Sequence, residues 1–243
     1  INPSDMWPMF GPANLSKALL SDDKSVLTAP LYPGMLSRIK PRLDQTLPIG
    51  NEGAGVVVAA GDSEQAQALM GKTVAVLTGA SYTQYCCVPV QACIVHHDGT
   101  TPHAAASSFV NPLTALGMVE TMRMEGHTAL VHTAAASSLG IMLNKVCIKE
   151  GVALVNIVRK QEQVDLLTKL GAKFVVNSSS ESFKKDLYKA IDATGATLAF
   201  DAIGGGELAG DILATMEAVG SKEATGFNTY GSVDNKQVPI FFR

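Results

Sequence analysis

The residues with the clearest chemical potential form a turn of small side chains, Ala134 to Gly140, between an apolar strand pattern and a helix pattern. The phosphates of a dinucleotide bind backbone N–H groups at a helix N-terminus, and they come close only where side chains are small. The sequence therefore predicts a dinucleotide contact by five residues of this turn, Ala136, Ser137, Ser138, Leu139 and Gly140. The usual glycine fingerprint is degraded to Ala134-x-x-Ser137-x-x-Gly140, so a plain strand-to-helix turn is the alternative interpretation.

Two basic residues, Arg159 and Lys160, follow the next predicted strand. Sites for NAD place an acidic residue at this point to bind the ribose hydroxyls, whereas sites for NADPH place a basic group near the 2′-phosphate. A guanidinium holds a phosphate in a bidentate manner, and an ammonium adds a second positive charge. The pair predicts NADPH as the cofactor. The alternative is a solvated charge pair at a helix start.

The elements that must position these residues alternate between strand and helix patterns in the second half of the chain. Helical apolar stripes end at Gly151, Gly171 and Gly195, and the run 178–180 predicts an N-cap for the third of these helices. The four predicted strands cover 128–133, 152–158, 173–177 and 197–201. Alternation of this kind predicts an α/β domain with a doubly wound parallel sheet of the Rossmann type.

The first hundred residues have a different pattern, rich in Pro and Gly and weak in helical periodicity. Short β-like runs, 55–58 and 73–77, lie between turn residues. This predicts an irregular β-rich domain. We therefore expect a boundary near residue 108, with a catalytic domain over 1–108 and a cofactor domain over 109–243.

Composition narrows the class of protein. The chain has 243 residues, 47% of them hydrophobic and 17% charged, which is typical of globular proteins and excludes disordered and collagen-like classes. A net charge of −3 without a polybasic run argues against a nucleic-acid partner, and no apolar run reaches membrane-spanning length. The four cysteines contain no C-x-x-C pair, which favours a reducing compartment, so we expect a cytoplasmic protein.

Seven stretches, in the expected order, carry a resemblance to a known family. They are 1–5 (INPSD), 48–57 (PIGNEGAGVV), 71–74 (GKTV), 111–115 (NPLTA), 134–140 (AAASSLG), 170–172 (LGA) and 201–205 (DAIGG). On these residues the chain resembles the zinc-independent medium-chain dehydrogenases/reductases of the NADPH:quinone oxidoreductase type. The resemblance implies a GroES-like β-barrel domain joined to a Rossmann domain, with NADPH held in the cleft between them.

The resemblance also implies roles for individual residues. Asn2 and Ser4 are expected near the nicotinamide and the substrate, with Thr114 and the Tyr230-Gly231 segment on the nicotinamide side. Asn177 and Gly204 complete the expected cofactor contacts. The zinc-dependent relatives have cysteine or histidine ligands where this chain has Asn2, Asn51 and approximately Val110. Because a catalytic zinc needs about three protein ligands, we expect no metal.

Without a Lewis acid, the acceptor must itself be electrophilic enough to accept a hydride, as quinones and conjugated carbonyl compounds are. Many relatives carry a tyrosine shortly after the Asn-Pro segment, but here residues 6–10 are apolar (MWPMF). We therefore expect the acceptor to take its proton from water. Met6, Trp7 and Phe10 are interpreted either as core packing under a loop or as a flat wall against an aromatic substrate. For Asp5 and Glu52 we expect structural bonds to backbone N–H groups.

These observations favour an NADPH-dependent reductase of quinones or other conjugated carbonyl compounds. Two alternatives remain, a non-catalytic NADPH-binding sensor or structural protein and an enoyl-thioester reductase. We expect a homodimer through an edge strand over 238–242, since an apolar edge strand favours pairing. The abrupt start and finish also lead us to expect a fragment with an incomplete GroES-like domain.

Overall fold

The computed structural model describes residues 2–223, 229, 231 and 236–239. Its contacts divide the chain into two compact units, Ile1–Val110 and Asn111–Arg243. We call them the first and the second unit and describe each by itself.

The first unit is built from short elements. Its helices are α1 (Pro3–Phe10), α2 (Leu36–Ile39), α3 (Glu64–Gln67), α4 (Pro102–Ala105) and the start of α5 (Val110–Met124). Its strands are β1 (Leu19–Leu20), β2 (Leu27–Thr28), β3 (Glu52–Val56), β4 (Thr73–Leu77) and β5 (Cys93–Val95). Single 3₁₀ turns cover Leu15–Lys17, Lys40–Arg42 and Val90–Ala92. Strands β3, β4 and β5 form an antiparallel sheet in that order, and β1 pairs with β2.

Helix α1 corrects one expectation from the sequence. Residues 6–10 lie in a helix and not in a loop, because Pro3 at the first helical position presets the backbone and Asp5 accepts the N–H of Asn2 at 2.7 Å. Met6 and Trp7 are 43% and 55% exposed. Core packing is therefore the wrong interpretation for these two side chains.

The second unit alternates strands and helices. After α5 come β6 (Ala129–His132), α6 (Ser138–Glu150), β7 (Ala153–Val158), α7 (Gln161–Lys169), β8 (Phe174–Asn177), α8 (Phe183–Thr194), β9 (Leu198–Phe200) and α9 (Leu208–Glu223). The sheet has the order β8-β7-β6-β9 with every pair parallel. Beyond β9, the N–H of Ala199 donates to the carbonyl of Gln237 at 2.8 Å, so residues 237–239 lie alongside β9.

Helices cover both faces of this sheet, because alternate residues of each strand point to opposite sides. Leu130, Leu154 and Leu198 pack against α5 and α6, whereas Val131 and Val155 pack against α8 and α9. The structure thereby confirms the predicted α/β doubly wound sheet. None of the helices in the described ranges combines the length and apolar character that crossing a bilayer requires.

The ends of the helices match the sequence in part. Gly151 and Gly195 end α6 and α8 in the left-handed conformation, with φ of 68° and 65°, which glycine adopts without strain. The predicted N-cap at 178–180 is wrong, since α8 begins after Ser182. Ser178 instead donates its N–H to Val158 at 2.8 Å and extends the pairing of β8 with β7.

Candidate functional site

The carboxyl ends of the four parallel strands meet at one edge of the second unit. Strands β6 and β9 are neighbours there, although β7 and β8 lie between them in sequence, so the chain leaves β6 towards one side and returns on the other. Open α/β sheets bind ligands at this kind of switch point. The loops that follow β6 and β9 are therefore the natural place for a ligand.

The turn after β6 is shaped by close backbone packing. Ala134 has φ of 51°, in the left-handed region that residues with a Cβ rarely adopt. A Cβ on Gly140 would lie 2.2 Å from the carbonyl oxygen of Ala135, so only glycine lets α6 pack this close to the turn. Ser137 caps α6 by accepting the N–H of Gly140 at 3.1 Å. The amides of Ala136 and Ser138 have no acceptor among the described residues.

Arg159 and Lys160 follow β7 at the same edge of the sheet. The Gln163 side chain accepts both of their backbone N–H groups, at 3.1 and 3.2 Å, which fixes the main chain at the start of α7. Both side chains are exposed, and no carboxylate of the described residues pairs with either. A helix N-terminus disfavours cations, so the positions of Arg159 and Lys160 at the start of α7 are electrostatically unfavourable. An anion bound between these two side chains would offset that cost.

A buried hydrogen bond that the sequence prediction missed joins the ends of β6 and β9. The Thr133 hydroxyl donates to Asp201 at 2.7 Å, and the same hydroxyl accepts the N–H of Ala202 at 2.8 Å. Asp201 also accepts the amides of Ile203 and Gly204 at 2.9 and 3.1 Å. An aspartate directly after an apolar strand and before three glycines is the signal that could have identified this turn.

His132, the last residue of β6, lies beneath the turn and is fully buried. Its Nδ1 lies 3.2 Å from the carbonyl oxygen of Phe200, which can only accept, so Nδ1 carries the hydrogen. Nε2 has no partner among the described residues. Burial lowers the pKa of His132 to about 4, so the ring is neutral at physiological pH.

The remaining predicted cofactor residues occupy different places. Asn177 ends β8 and accepts the N–H of Ser179 at 3.0 Å, and Gly204 has a left-handed φ of 65° in the turn after β9. Thr114 lies in the first turns of α5. Gly231 lies near Glu217 of α9. Tyr230 is outside the described residues.

These features of the second unit fit the phosphates of a dinucleotide. The turn has small side chains and donor amides that no described residue uses, and two exposed cations follow the neighbouring strand. Phosphate oxygens are strong acceptors that such donors and cations bind. The residues that would hold the cofactor are thus the α6 turn for the pyrophosphate and Arg159 with Lys160 for a 2′-phosphate.

In the first unit, a buried carboxylate connects three segments that are distant in sequence. Asp5 is 2% exposed. It accepts the N–H of Asn2 at 2.7 Å, the N–H of Asn51 at 2.8 Å and the hydroxyl of Tyr82 at 2.9 Å. Burial raises the pKa of Asp5, but these hydrogen bonds outweigh it and leave the pKa below its ordinary value.

Glu52 makes the second set of links in the first unit. One oxygen accepts the side-chain amide of Asn2 at 2.9 Å, and the other accepts the N–H groups of Phe109 and Val110 at 2.9 and 2.8 Å, at the start of α5. The bonds of Asp5 and Glu52 to backbone N–H groups confirm the structural interpretation of these acids. Asn2 is buried, and the exposed Ser4 accepts the side-chain amide of Asn51 at 2.6 Å.

Tyr82 brings a phenolic hydroxyl to the buried carboxylate of Asp5. Its ring packs against Gly50, where a Cβ would lie 2.3 Å from the ring and where φ is 97°, so glycine is required on both counts. Burial and the hydrogen bond to Asp5 raise the pKa of Tyr82 to about 12. A phenol whose hydrogen is held by a carboxylate is a poor proton donor near neutral pH.

Groups of three or more His, Cys, Asp or Glu side chains arranged to hold a metal ion are absent from the described part of the chain. Of the three positions that correspond to the zinc ligands of related enzymes, Asn2 and Asn51 carry carboxamides engaged with Glu52 and Ser4. Carboxamides are poor ligands for zinc compared with thiolate and imidazole.

Known proteins resemble this chain in sequence and in fold. A probable quinone oxidoreductase of Schizosaccharomyces pombe is 27% identical over 196 residues, 79% of this chain and 57% of that protein. A protein of Mesorhizobium loti, assigned as an NADPH:quinone reductase, matches with 36% identity and a TM-score of 0.59, over 69% of this chain and 49% of that one. No protein-family model matches.

A third protein, from a mycobacterium and solved in complex with NADPH, matches with 21% identity and a TM-score of 0.56, over 71% of this chain and 55% of that one. It shows the shared fold alone. The chain therefore spans about half the length of the relatives it matches. The predicted resemblance is confirmed: in sequence and in fold the chain is similar to proteins named as quinone oxidoreductase and NADPH:quinone reductase.

Proposed function

We propose that the protein is an NADPH-dependent oxidoreductase that reduces a quinone or another conjugated carbonyl compound without zinc. The observation that carries the proposal is the α6 turn, with its unused amides and tight glycine contact, beside the exposed Arg159 and Lys160. The relatives named as quinone oxidoreductase and NADPH:quinone reductase support the same class of reaction.

The chain's own residues would bind the cofactor and orient it. The turn over 136–140 would hold the pyrophosphate through its unused amides, those of Ala136 and Ser138, and Arg159 with Lys160 would hold the 2′-phosphate. Thr133 and Asp201 fix the facing loops, and we assign Thr114, Asn177, Gly204, Tyr230 and Gly231 to the remaining cofactor contacts. When bound, NADPH supplies the hydride.

Asn2 and Ser4 would position the acceptor. Asn2 is held by Glu52, which accepts its side-chain amide at 2.9 Å. The Tyr82 hydroxyl donates its hydrogen bond to Asp5 and is therefore not available to protonate the acceptor. The reduced acceptor would therefore take its proton from water, which suits quinones because hydride addition gives a hydroquinone monoanion that water readily protonates.

A panel of acceptors with both cofactors tests the reaction. We expect the full-length protein to oxidise NADPH faster than NADH with quinones and enones, and to keep this activity after treatment with a chelator. Turnover of enoyl thioesters alone would support the enoyl-reductase alternative. Saturable NADPH binding with no reduction of any acceptor would support the sensor alternative and overturn the proposal.

Paired substitutions test the cofactor preference. Arg159→Ala with Lys160→Ala should weaken NADPH binding by about tenfold to a hundredfold, because hydrogen bonds to charged groups contribute about 1.5–3 kcal/mol, and should leave NADH nearly unchanged. Lys173→Ala is the matched control, since it removes an exposed cation just before β8, at the opposite edge of the sheet. Equal losses for the two cofactors would contradict the assigned role.

Two further properties belong to the proposal. Residues 237–239 lie beside β9, and we propose that the segment 238–242, which extends outside the described residues, forms a homodimer. All four cysteines are unpaired, which supports a cytoplasmic location. Sedimentation of the full-length protein and imaging of a fluorescent fusion test these properties, and a monomer or an exported protein would contradict them.

A further inference from the structure

The first unit contains a cavity of about 490 Å³ on one face of its antiparallel sheet. Gly55 pairs with Val74 across the two strands β3 and β4. Gly53 pairs with Val76, which pairs in turn with Cys93 of β5. All five residues line the cavity, and the loop over 81–88 encloses it from the side. Sites for small organic molecules are of this size and are mostly apolar.

Three of the chain's four cysteines line this cavity, and none of the four is in a disulfide. Cys86 and Cys87 are exposed in the enclosing loop, and Cys93 is half-buried on β5, where its thiol lies 3.6 Å from the carbonyl oxygen of Pro89. The fourth, Cys147, is buried in the core of the second unit. An apolar cavity and accessible thiols are therefore combined in one place.

Burial disfavours the reactive thiolate form of two of the cysteines, Cys93 and Cys147. Burial raises the pKa of Cys147 to about 12. Burial also raises the pKa of Cys93, and negative charge on the nearby Cys86 raises it further. Cys86 and Cys87 are open to solvent, which leaves them as the accessible nucleophiles of the cavity.

We propose that this cavity is a covalent site for apolar quinones and enones, which add to Cys86 or Cys87. The thiolate sulfur attacks the carbon β to the carbonyl, and a C–S bond forms. The electron pair of the C=C bond moves to the carbonyl oxygen, and the proton lost by the thiol ends on the enolate. With a quinone, the product is a hydroquinone thioether. The quinone ring is reduced as the C–S bond forms, so no separate oxidant or reductant is needed. The step uses no nicotinamide and stands apart from the proposed reductase reaction.

Labelling of the full chain without NADPH tests the site. With 1,4-naphthoquinone, peptide mass spectrometry should find adducts first on Cys86 or Cys87, at a rate that saturates with quinone concentration because binding precedes reaction. Labelling of the same residues by iodoacetamide, which is small and polar, should rise linearly. A linear rate for the quinone, or earlier labelling of Cys147, would overturn the proposal.

A substitution that fills the cavity provides a second test. A Cβ on Gly55 meets no atom within 4 Å, so Gly55→Leu places its side chain in open space on the cavity face. Filling the space should slow the quinone adduct by about tenfold, the change expected when an apolar pocket loses one good contact, and leave iodoacetamide labelling unchanged. Gly117→Leu, at an exposed position of α5 with equally open space, is the matched control. An equal rate in Gly55→Leu and wild type would contradict the proposal.

If Gly55→Leu fails to fold, competition on the wild-type protein decides. Naphthalene has the same shape without an electrophilic carbon and should protect Cys86 and Cys87 from the quinone, and absence of protection would overturn the site. Cys86→Ser with Cys87→Ser should abolish the adduct and retain NADPH oxidation. Failure of the reductase assay would leave the adduct result intact, so the two proposals can fail separately.

Discussion

The two units differ in how many of their apolar side chains they bury. Among the described residues, 27 buried hydrophobic residues lie in the second unit and five in the first, whereas 19 large exposed hydrophobic residues lie in the first and five in the second. Two units of similar length therefore rely on different interactions. The second unit has an apolar core on each face of its sheet.

The first unit is organised instead by buried carboxylates. Asp5 and Glu52 together accept six hydrogen bonds, four of them from backbone N–H groups, and connect residues near 2, 51, 82 and 109. Hydrogen bonds of this kind have strict geometry, while apolar contacts tolerate rearrangement. The comparison indicates that the first unit fixes the orientation of its residues with polar bonds, and that the second obtains its stability from burial.

The largest expected effect comes from the core of the second unit. Leu167→Ala should lower the free energy of unfolding by about 2–5 kcal/mol, because it removes a fully buried side chain and leaves a cavity. Leu166→Ala, on the same helix and 42% exposed, is the control and should cost much less. Chemical denaturation followed by circular dichroism measures both. Equal effects would show that the core of the second unit is not what stabilises it.

A pH dependence should follow from His132. Its folded pKa of about 4 lies below its ordinary value of 6.5, so the unfolded chain binds a proton that the folded chain does not. Stability should therefore be complete above pH 6.5 and should fall by about 3 kcal/mol as the pH drops to 4. Unfolding measured across this range, with His132→Leu for comparison, tests the effect. An unchanged slope in the variant would contradict it.

In the first unit, Asp5→Asn should be the most harmful polar substitution. The carboxamide replaces one acceptor oxygen by a donor that faces other donors, and we expect a loss of about 2 kcal/mol. Asp23→Asn is the control, since Asp23 bonds only to neighbouring serines on the surface. Thermal unfolding compares the variants. Equal stability of Asp5→Asn and wild type would remove the role assigned to the network.

The smallest effect is expected for Tyr82→Phe, which removes one hydrogen bond at a partly exposed site and should cost about 0.5–1.5 kcal/mol. The raised pKa adds a second observable. Stabilisation by Tyr82 should be complete below pH 10 and be lost as the pH rises through about 12. An ultraviolet titration should show one late-ionising tyrosine that disappears in the variant, and its persistence would argue against the bond to Asp5.

Local signals predicted most of the second unit. The strands expected at 152–158 and 173–177 are found at Ala153–Val158 and Phe174–Asn177. This accuracy is possible because apolar periodicity and left-handed glycines act within a few residues. The error at the start of α8 has the same origin, since Ser178, Ser180 and Ser182 are equally good caps and only the pairing of β8 with β7 decides among them.

The polar network of the first unit could not be predicted in the same way. The partners Asp5 and Tyr82 are 77 residues apart, and Glu52 is 58 residues from Val110. No local pattern brings such pairs together, so the sequence predicted that the acids bind backbone amides but not which ones. The helical conformation of residues 6–10 was also missed, since the capping by Asp5 was not recognised.

Trp7 gives the molecule one further property. It is the only tryptophan of the chain, and its indole packs over Gly11 in the first unit. The intrinsic tryptophan emission therefore comes entirely from the first unit and does not report on the environment of the second. NADPH absorbs at the wavelengths where indole emits, so quenching of the Trp7 emission would report the proposed binding of NADPH without any added label.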